Sequence, residues 1–228
     1  MRKLLLFDID KTLITSKTKT KSRFTEAIKS TYGIEGSTQQ IQNQGHGMTD
    51  QEIVIEILHA NKVPDKIIHT KLDLCLRWMI DNYRILSKDE FIEPLIGVSD
   101  SLEYFTQNKC LLGLVTGNLE PIAHYKLKKA GIDRFFQLGG YGNEALLRKD
   151  LVKIALQKAK DQFHYSEISN TILIGDAPQD MIAAKVNRII PVGVLTGVYN
   201  REELLSTGAK LVINDLTNFQ QILELTTT

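Results

Sequence analysis

Cysteine is scarce in this chain: 228 residues contain two, Cys75 and Cys110, far apart and each inside an apolar pattern. No disulfide framework and no cysteine metal site can be built from them, and a reducing, cytoplasmic setting is the expectation. Excess charge is lacking too, since a formal net charge of +1 gives no field favouring nucleic acid or a membrane surface. Long apolar runs are missing as well. The N-terminal run before Asp8 is too short for a secretion signal, and none elsewhere approaches the ~20 residues of a bilayer crossing. There are no internal repeats or low-complexity tracts, and only the tail Thr226–Thr228 looks loose. The remaining composition, 43% apolar and 24% charged, is ordinary for a globular protein. The length suits one large α/β domain or a core carrying an inserted subdomain.

The chain is organised around Leu4-Leu5-Leu6-Phe7-Asp8-Ile9-Asp10-Lys11-Thr12-Leu13. A strand covered on both faces can be apolar at every position, so Leu4–Phe7 reads as a buried parallel strand. It runs into two carboxylates and a hydroxyl. Asp8 and Asp10 share one face of an extended chain and repel each other unless a cation or a shared proton lies between them. The bland alternative is a strand running into an Asp-Lys-Thr turn. Residues 15–92 then read as helical without a convincing strand, with polar stretches at 15–23 and 36–44. Phe24, Ala27, Ile28 and Tyr32 hold one helical face. Thr49 or Asp50 caps a helix carrying Ile53, Ile57 and Leu58, and Pro64 opens a third helix through Tyr83.

From Pro94 the pattern alternates. Strands are expected over 110–115, 135–138, 171–174, 190–195 and 211–213, with helices between them and a glycine-rich loop at 139–143. This is the pattern of a doubly wound, Rossmann-like parallel sheet, with residues 1–14 and 95–228 as the α/β core and 15–94 as a helical insert. Three apolar strands end in polar residues: Asp8/Asp10/Thr12, Thr116/Gly117/Asn118, and Gly175/Asp176 with Asp180 four residues on. In a parallel sheet those ends lie along one edge, where such folds bind ligands. One acidic strand end is weak; three polar ends at the same relative place point to a site.

In these residues the sequence resembles the haloacid dehalogenase superfamily. Phe-Asp-Ile-Asp-Lys-Thr-Leu is similar to its first motif, Leu-Val-Thr-Gly-Asn to the second and Ile-Gly-Asp-Ala-Pro-Gln-Asp to the fourth. The insert is similar to the family's helical cap of the first type. The resemblance implies a phosphatase with Asp8 as nucleophile and Asp10 as general acid and base. It implies Mg²⁺ on the side chains of Asp8 and Asp176 and the backbone carbonyl of Asp10, with Asp180 supporting. Thr116, with the backbone N–H groups of Gly117 and Asn118, would hold phosphoryl oxygens. The third motif calls for a cation at a helix start. Arg148 and Lys149 both offer one, the stripe at Ile154 and Ala155 fitting Arg148 better, and the usual following proline is missing. Lys11 stands where the family most often has glycine and is expected to point to solvent, the alternative being that it adds positive charge near the entrance.

Dehalogenating members lack an acid at the Asp10 position, so the resemblance implies phosphoryl transfer. The pattern, with Thr196-Gly197, is similar to phosphoglycolate phosphatase relatives and implies a small phosphorylated metabolite as substrate. The loop Gly45–Asp50, with His46 as its polar contact, is the cap segment expected to face it. A phosphomutase of the same family, a receiver-like phosphoacceptor and a non-catalytic binding module are the alternatives. The sequence leaves the oligomeric state open.

Overall fold

The computed structural model describes residues 2–17, 22–41 and 45–225. The polar stretches at 15–23 and 36–44 fall partly, and Thr226–Thr228 wholly, outside the described residues. The core is a six-stranded parallel sheet: β1 (Leu4–Phe7), β4 (Leu111–Thr116), β5 (Leu138–Tyr141), β6 (Thr171–Gly175), β7 (Ile190–Val194) and β8 (Leu211–Ile213). The strand order is β5-β4-β1-β6-β7-β8. Leu4 pairs with Leu111 on one side and Thr171 on the other, which puts β1 at the centre.

Every residue of β1 is fully buried because both faces are covered. Leu4 and Leu6 pack with Leu151, Val152, Ala155, Ala183 and Ala184 of α6 (Arg148–Phe163) and α7 (Pro178–Val186). Leu5 and Phe7 face the other way, onto Val98, Leu102 and Phe105 of α4 (Val98–Gln107) and Ala123 and Leu127 of α5 (Glu120–Lys129). The strand order reverses beside β1, and that switch point opens a crevice at the C-terminal ends of β4, β1 and β6.

Between β1 and β4 the chain leaves the sheet. α1 (Arg23–Tyr32), α2 (Asp50–Ala60) and α3 (Asp65–Leu86) bury their own cluster, including Phe24, Ile28, Ile57, Leu58, Ile68 and Met79. Leu119 and Ile122, at the start of α5, complete it. Two expectations need correction. Residues 15–92 are not without strand, because β2 (Ile14–Ser16) and β3 (Ile92–Pro94) form an antiparallel ribbon. Three residues are too few for a period-2 signal to show. The third core strand in chain order, β5, also lies at 138–141, not 135–138, and takes in Gly139 and Gly140. Those glycines mark close approach, not a turn: a Cβ on Gly140 would lie 2.1 Å from the Leu151 carbonyl oxygen of α6.

Candidate active site

Asp8 is the first residue past β1, its N–H still donating to the Ile174 carbonyl at 2.9 Å and its side chain 8% exposed. Asp176 follows β6, and Asp180 lies in the first turn of α7, where its Oδ2 accepts from the Ala177 N–H at 3.2 Å. Among the described residues, one oxygen from each of Asp8, Asp176 and Asp180 lies within 4.8 Å of the other two, and all three residues are buried. Thr12 donates to Asp176 Oδ1 at 3.2 Å.

The counter-charge is Arg148. Its Nη1 donates to Asp180 Oδ1 at 2.6 Å and Asp8 Oδ1 at 3.0 Å. As the first residue of α6 its cation sits at the wrong end of the helix dipole, so the carboxylates hold it there. Lys149, offered beside it as a phosphate contact, is exposed and is not brought to the site. Successive helical residues point about 100° apart, so only one of the two can face the crevice.

Three buried carboxylates against one guanidinium leave excess negative charge. Burial, then the charges of Asp8 and Asp180, pushes the Asp176 carboxyl up, against Arg148 and the Thr12 hydroxyl. Asp180 is pushed up mainly by burial, with Arg148 opposing and Asp8 adding. Their hard oxygens suit a divalent cation such as Mg²⁺, whose charge would offset that excess. Asp180, with one oxygen on Arg148 and the other on a backbone N–H, is the most fully engaged of the three.

The sign of the pH effect follows. A carboxyl raised in the folded state binds a proton that the unfolded chain has already released, so stability falls as pH rises above the ordinary carboxylate range. In EDTA the urea midpoint is expected to drop between about pH 5 and 8, and saturating Mg²⁺ to remove that slope. A midpoint flat in EDTA over that interval would contradict the charge excess.

Asp10 lies in a different environment. Its side chain is half-exposed, yet Lys126 Nζ donates to both its oxygens, at 2.8 and 2.6 Å, and Asn118 Nδ2 donates to Oδ2 at 2.7 Å. Burial pushes the Asp10 carboxyl up, but the Lys126 charge and these hydrogen bonds outweigh it and hold the group at about 2. Thr116 Oγ1 accepts from the Asn118 side chain at 2.9 Å and from its N–H at 3.3 Å, which leaves the hydroxyl proton free to donate. The Asn118 N–H, expected to face a phosphoryl oxygen, is thus turned to Thr116 instead.

All these groups except Thr12, Asp180 and Lys126 line one cavity of about 220 Å³, with Lys11, Arg23, Gly45–Met48, Asp50, Ile53 and Ala177. His46, expected as a cap contact, is exposed at its wall. Lys11 does not simply point to solvent: it lines the cavity, and Nζ donates to Thr15 Oγ1 at 3.3 Å. Its φ of 65° explains why glycine suits the position. Lys11→Gly is expected to stabilise the fold by about 1 kcal/mol in urea titration, and a loss of stability would show that the left-handed turn carries no strain.

Sequence reasoning missed Lys126 and Arg23. Lys126 is 5% exposed on the same face of α5 as Ile122, Ala123 and Leu127. A lysine inside an apolar stripe was the available signal, hidden in a run that reads as ordinary basic residues at a helix end. Arg23 comes from α1 and donates to Asp50 Oδ1 at 2.8 Å and Asn118 Oδ1 at 3.4 Å. Nothing in its local sequence announces that reach.

A family model described as haloacid dehalogenase-like hydrolase matches residues 5–194. The chain belongs to that family. The hydrolase is 26% identical over 223 residues to pyrophosphatase PpaX of Oceanobacillus iheyensis, covering 93% of this chain and 92% of that one. Its fold matches a hydrolase from Pseudomonas syringae with a TM-score of 0.71 at 21% identity, over 100% of both chains. It also matches a protein described as a predicted phosphoglycolate phosphatase from Haemophilus somnus, with a TM-score of 0.66 at 16% identity over 97% of both. No described helix of this hydrolase is long and apolar enough to cross a membrane.

Proposed function

We propose that this hydrolase is a Mg²⁺-dependent phosphatase for a small phosphorylated metabolite, phosphoglycolate-like in size, working through an aspartyl-phosphate on Asp8. The observation that carries the reading is the convergence of Asp8, Asp176 and Asp180 with Arg148 and Thr116 beside one small cavity. A carboxylate nucleophile, a fixed cation and a hydroxyl donor are what covalent phosphoryl transfer requires. Asp8 and Asp176, with the Asp10 carbonyl, would hold Mg²⁺, which supplies positive charge against the anionic nucleophile and phosphate.

In the first step an Asp8 oxygen bonds to phosphorus as the bond to the leaving oxygen breaks. Asp10 relays a proton to that oxygen from the Lys126 ammonium, whose Nζ lies 2.6 Å from Asp10 Oδ2. In the second step water attacks the aspartyl-phosphate, its proton returns through Asp10 to Lys126, and inorganic phosphate and free Asp8 result. Ionised Asp10 is suited to this base role. Residues 15–94 act as a cap on the core of residues 1–14 and 95–228, covering the leaving-group side with Arg23 and the Gly45–Asp50 loop. At about 220 Å³ the cavity is below the roughly 300–1,000 Å³ of drug-sized pockets, which favours esters of a few carbons.

The test is a panel of phosphate compounds, including 2-phosphoglycolate, sugar phosphates and pyrophosphate, assayed with Mg²⁺ and with EDTA. Mg²⁺-dependent release of phosphate from a small ester is expected. A phosphoprotein that accumulates without turnover would instead indicate a receiver-like acceptor, and no Mg²⁺-dependent reaction at all a binding module.

A further inference from the structure

Asp50 is 2% exposed, at the start of an eleven-residue helix that belongs to the insert, yet its polar atoms face the core. The first N–H groups of a helix have no partner within it. Thr49 and Glu52 close a capping box at this helix start, and the Asp50 N–H is turned outward to the Gly117 carbonyl at 2.8 Å. Asp50 Oδ2 accepts from the Leu119 N–H at 3.3 Å, and Oδ1 accepts from Arg23 at 2.8 Å. One insert residue thus holds the 116–119 turn on either side of Asn118.

The approach is close. A Cβ on Gly117 would lie 2.3 Å from the Met48 carbonyl oxygen and 2.9 Å from Thr49 Cα, so only glycine admits the insert loop there. Further polar contacts accompany it. Thr49 Oγ1 donates to the Leu146 carbonyl at 2.8 Å, and Arg148 Nε donates to the Gly47 carbonyl at 3.2 Å while its Nη1 holds Asp8. These bonds stand beside an apolar contact, the packing of Leu119 and Ile122 into the insert's own cluster.

We propose that Asp50 is a positioning residue for phosphate binding: docking of the insert through Asp50 sets the 116–119 turn, so the phosphate subsite is complete only with the insert closed. The inference rests on reading Thr116 and its turn as phosphate contacts. By reciprocity, phosphate bound at the turn favours the docked insert. Asp50 itself need not touch the substrate.

Hydrogen exchange followed by mass spectrometry tests this on the full chain, with inorganic phosphate and Mg²⁺ as the probe. Segments 45–50 and 116–119 are expected to gain protection together when phosphate is added. In Asp50→Ala the 116–119 segment should gain little, and the inhibition constant for phosphate should rise about 10- to 100-fold. Asp50→Asn keeps an acceptor for the Leu119 N–H and should recover part of that loss. Gly117→Ala should reproduce the Asp50→Ala defect and add little to it in the double variant. Phosphate-linked protection absent from the natural chain, or undiminished in a folded Asp50→Ala, would overturn the inference, as would an unchanged inhibition constant. The exchange measurement needs no turnover. A chain that hydrolyses no ester yet shows linked protection would refute the catalytic reading and keep this one.

Discussion

Arg148→Met is expected to destabilise the metal-free protein by about 3–5 kcal/mol, the cost of removing one partner from a buried charge cluster. For a chain of this size that is a fall in Tm of roughly 10 °C. The guanidinium is 7% exposed and is shared by Asp8 and Asp180, so its loss leaves both carboxylates buried without their cation. They respond by taking up protons, so the penalty should be largest at alkaline pH and shrink as the solution is acidified. Mg²⁺ should recover part of the stability but not the activity, because in the proposed mechanism Arg148 also positions Asp8. Lys149→Met, one residue away and exposed, should change stability by no more than about 0.5 kcal/mol and leave turnover near that of the natural chain. Equal effects from the two substitutions, by urea titration and phosphate release, would remove the special role of Arg148.

Asp8→Asn should lower kcat by about four orders of magnitude or more, the scale on which loss of a catalytic nucleophile is felt. The same change should leave the metal-free fold as stable or more so, since it removes one of three crowded negative charges and part of what pushes Asp176 up. Stabilisation by added Mg²⁺ should shrink with it. This opposition, activity lost while metal-free stability holds or rises, separates a functional carboxylate from a structural one. An Asp8→Asn protein retaining substantial turnover would mean that another group attacks phosphorus.

The parallel sheet was legible because buried strands and amphipathic helices leave periodicities that survive in one dimension, and the acidic strand ends stood out because carboxylates are costly there. Arg148 was legible only as one of two neighbours, since the choice depends on helix rotation. The position of β5 was misread because Gly139 and Gly140 look like a turn until α6 is seen lying against them. Lys126 left only the faint trace of a lysine in an apolar stripe, while Arg23 and the docking role of Asp50 were not legible: each acts on a residue distant in sequence, and a single chain records no such pairing. The conformation of Lys11 was equally hidden, although the departure from glycine pointed to the position.

The central strand carries a cost during synthesis. Leu4–Phe7 leaves the ribosome well before its neighbours in the sheet, residues 111–114 and 171–174. Until both have been made, an unbroken apolar segment with two open edges has nothing native to pair with, the circumstance in which nascent chains associate wrongly or engage chaperones. The sheet cannot close by local steps, so folding should be slow and governed by long-range pairing, with the insert's three helices, whose contacts are mostly nearer in sequence, forming ahead of the sheet they interrupt.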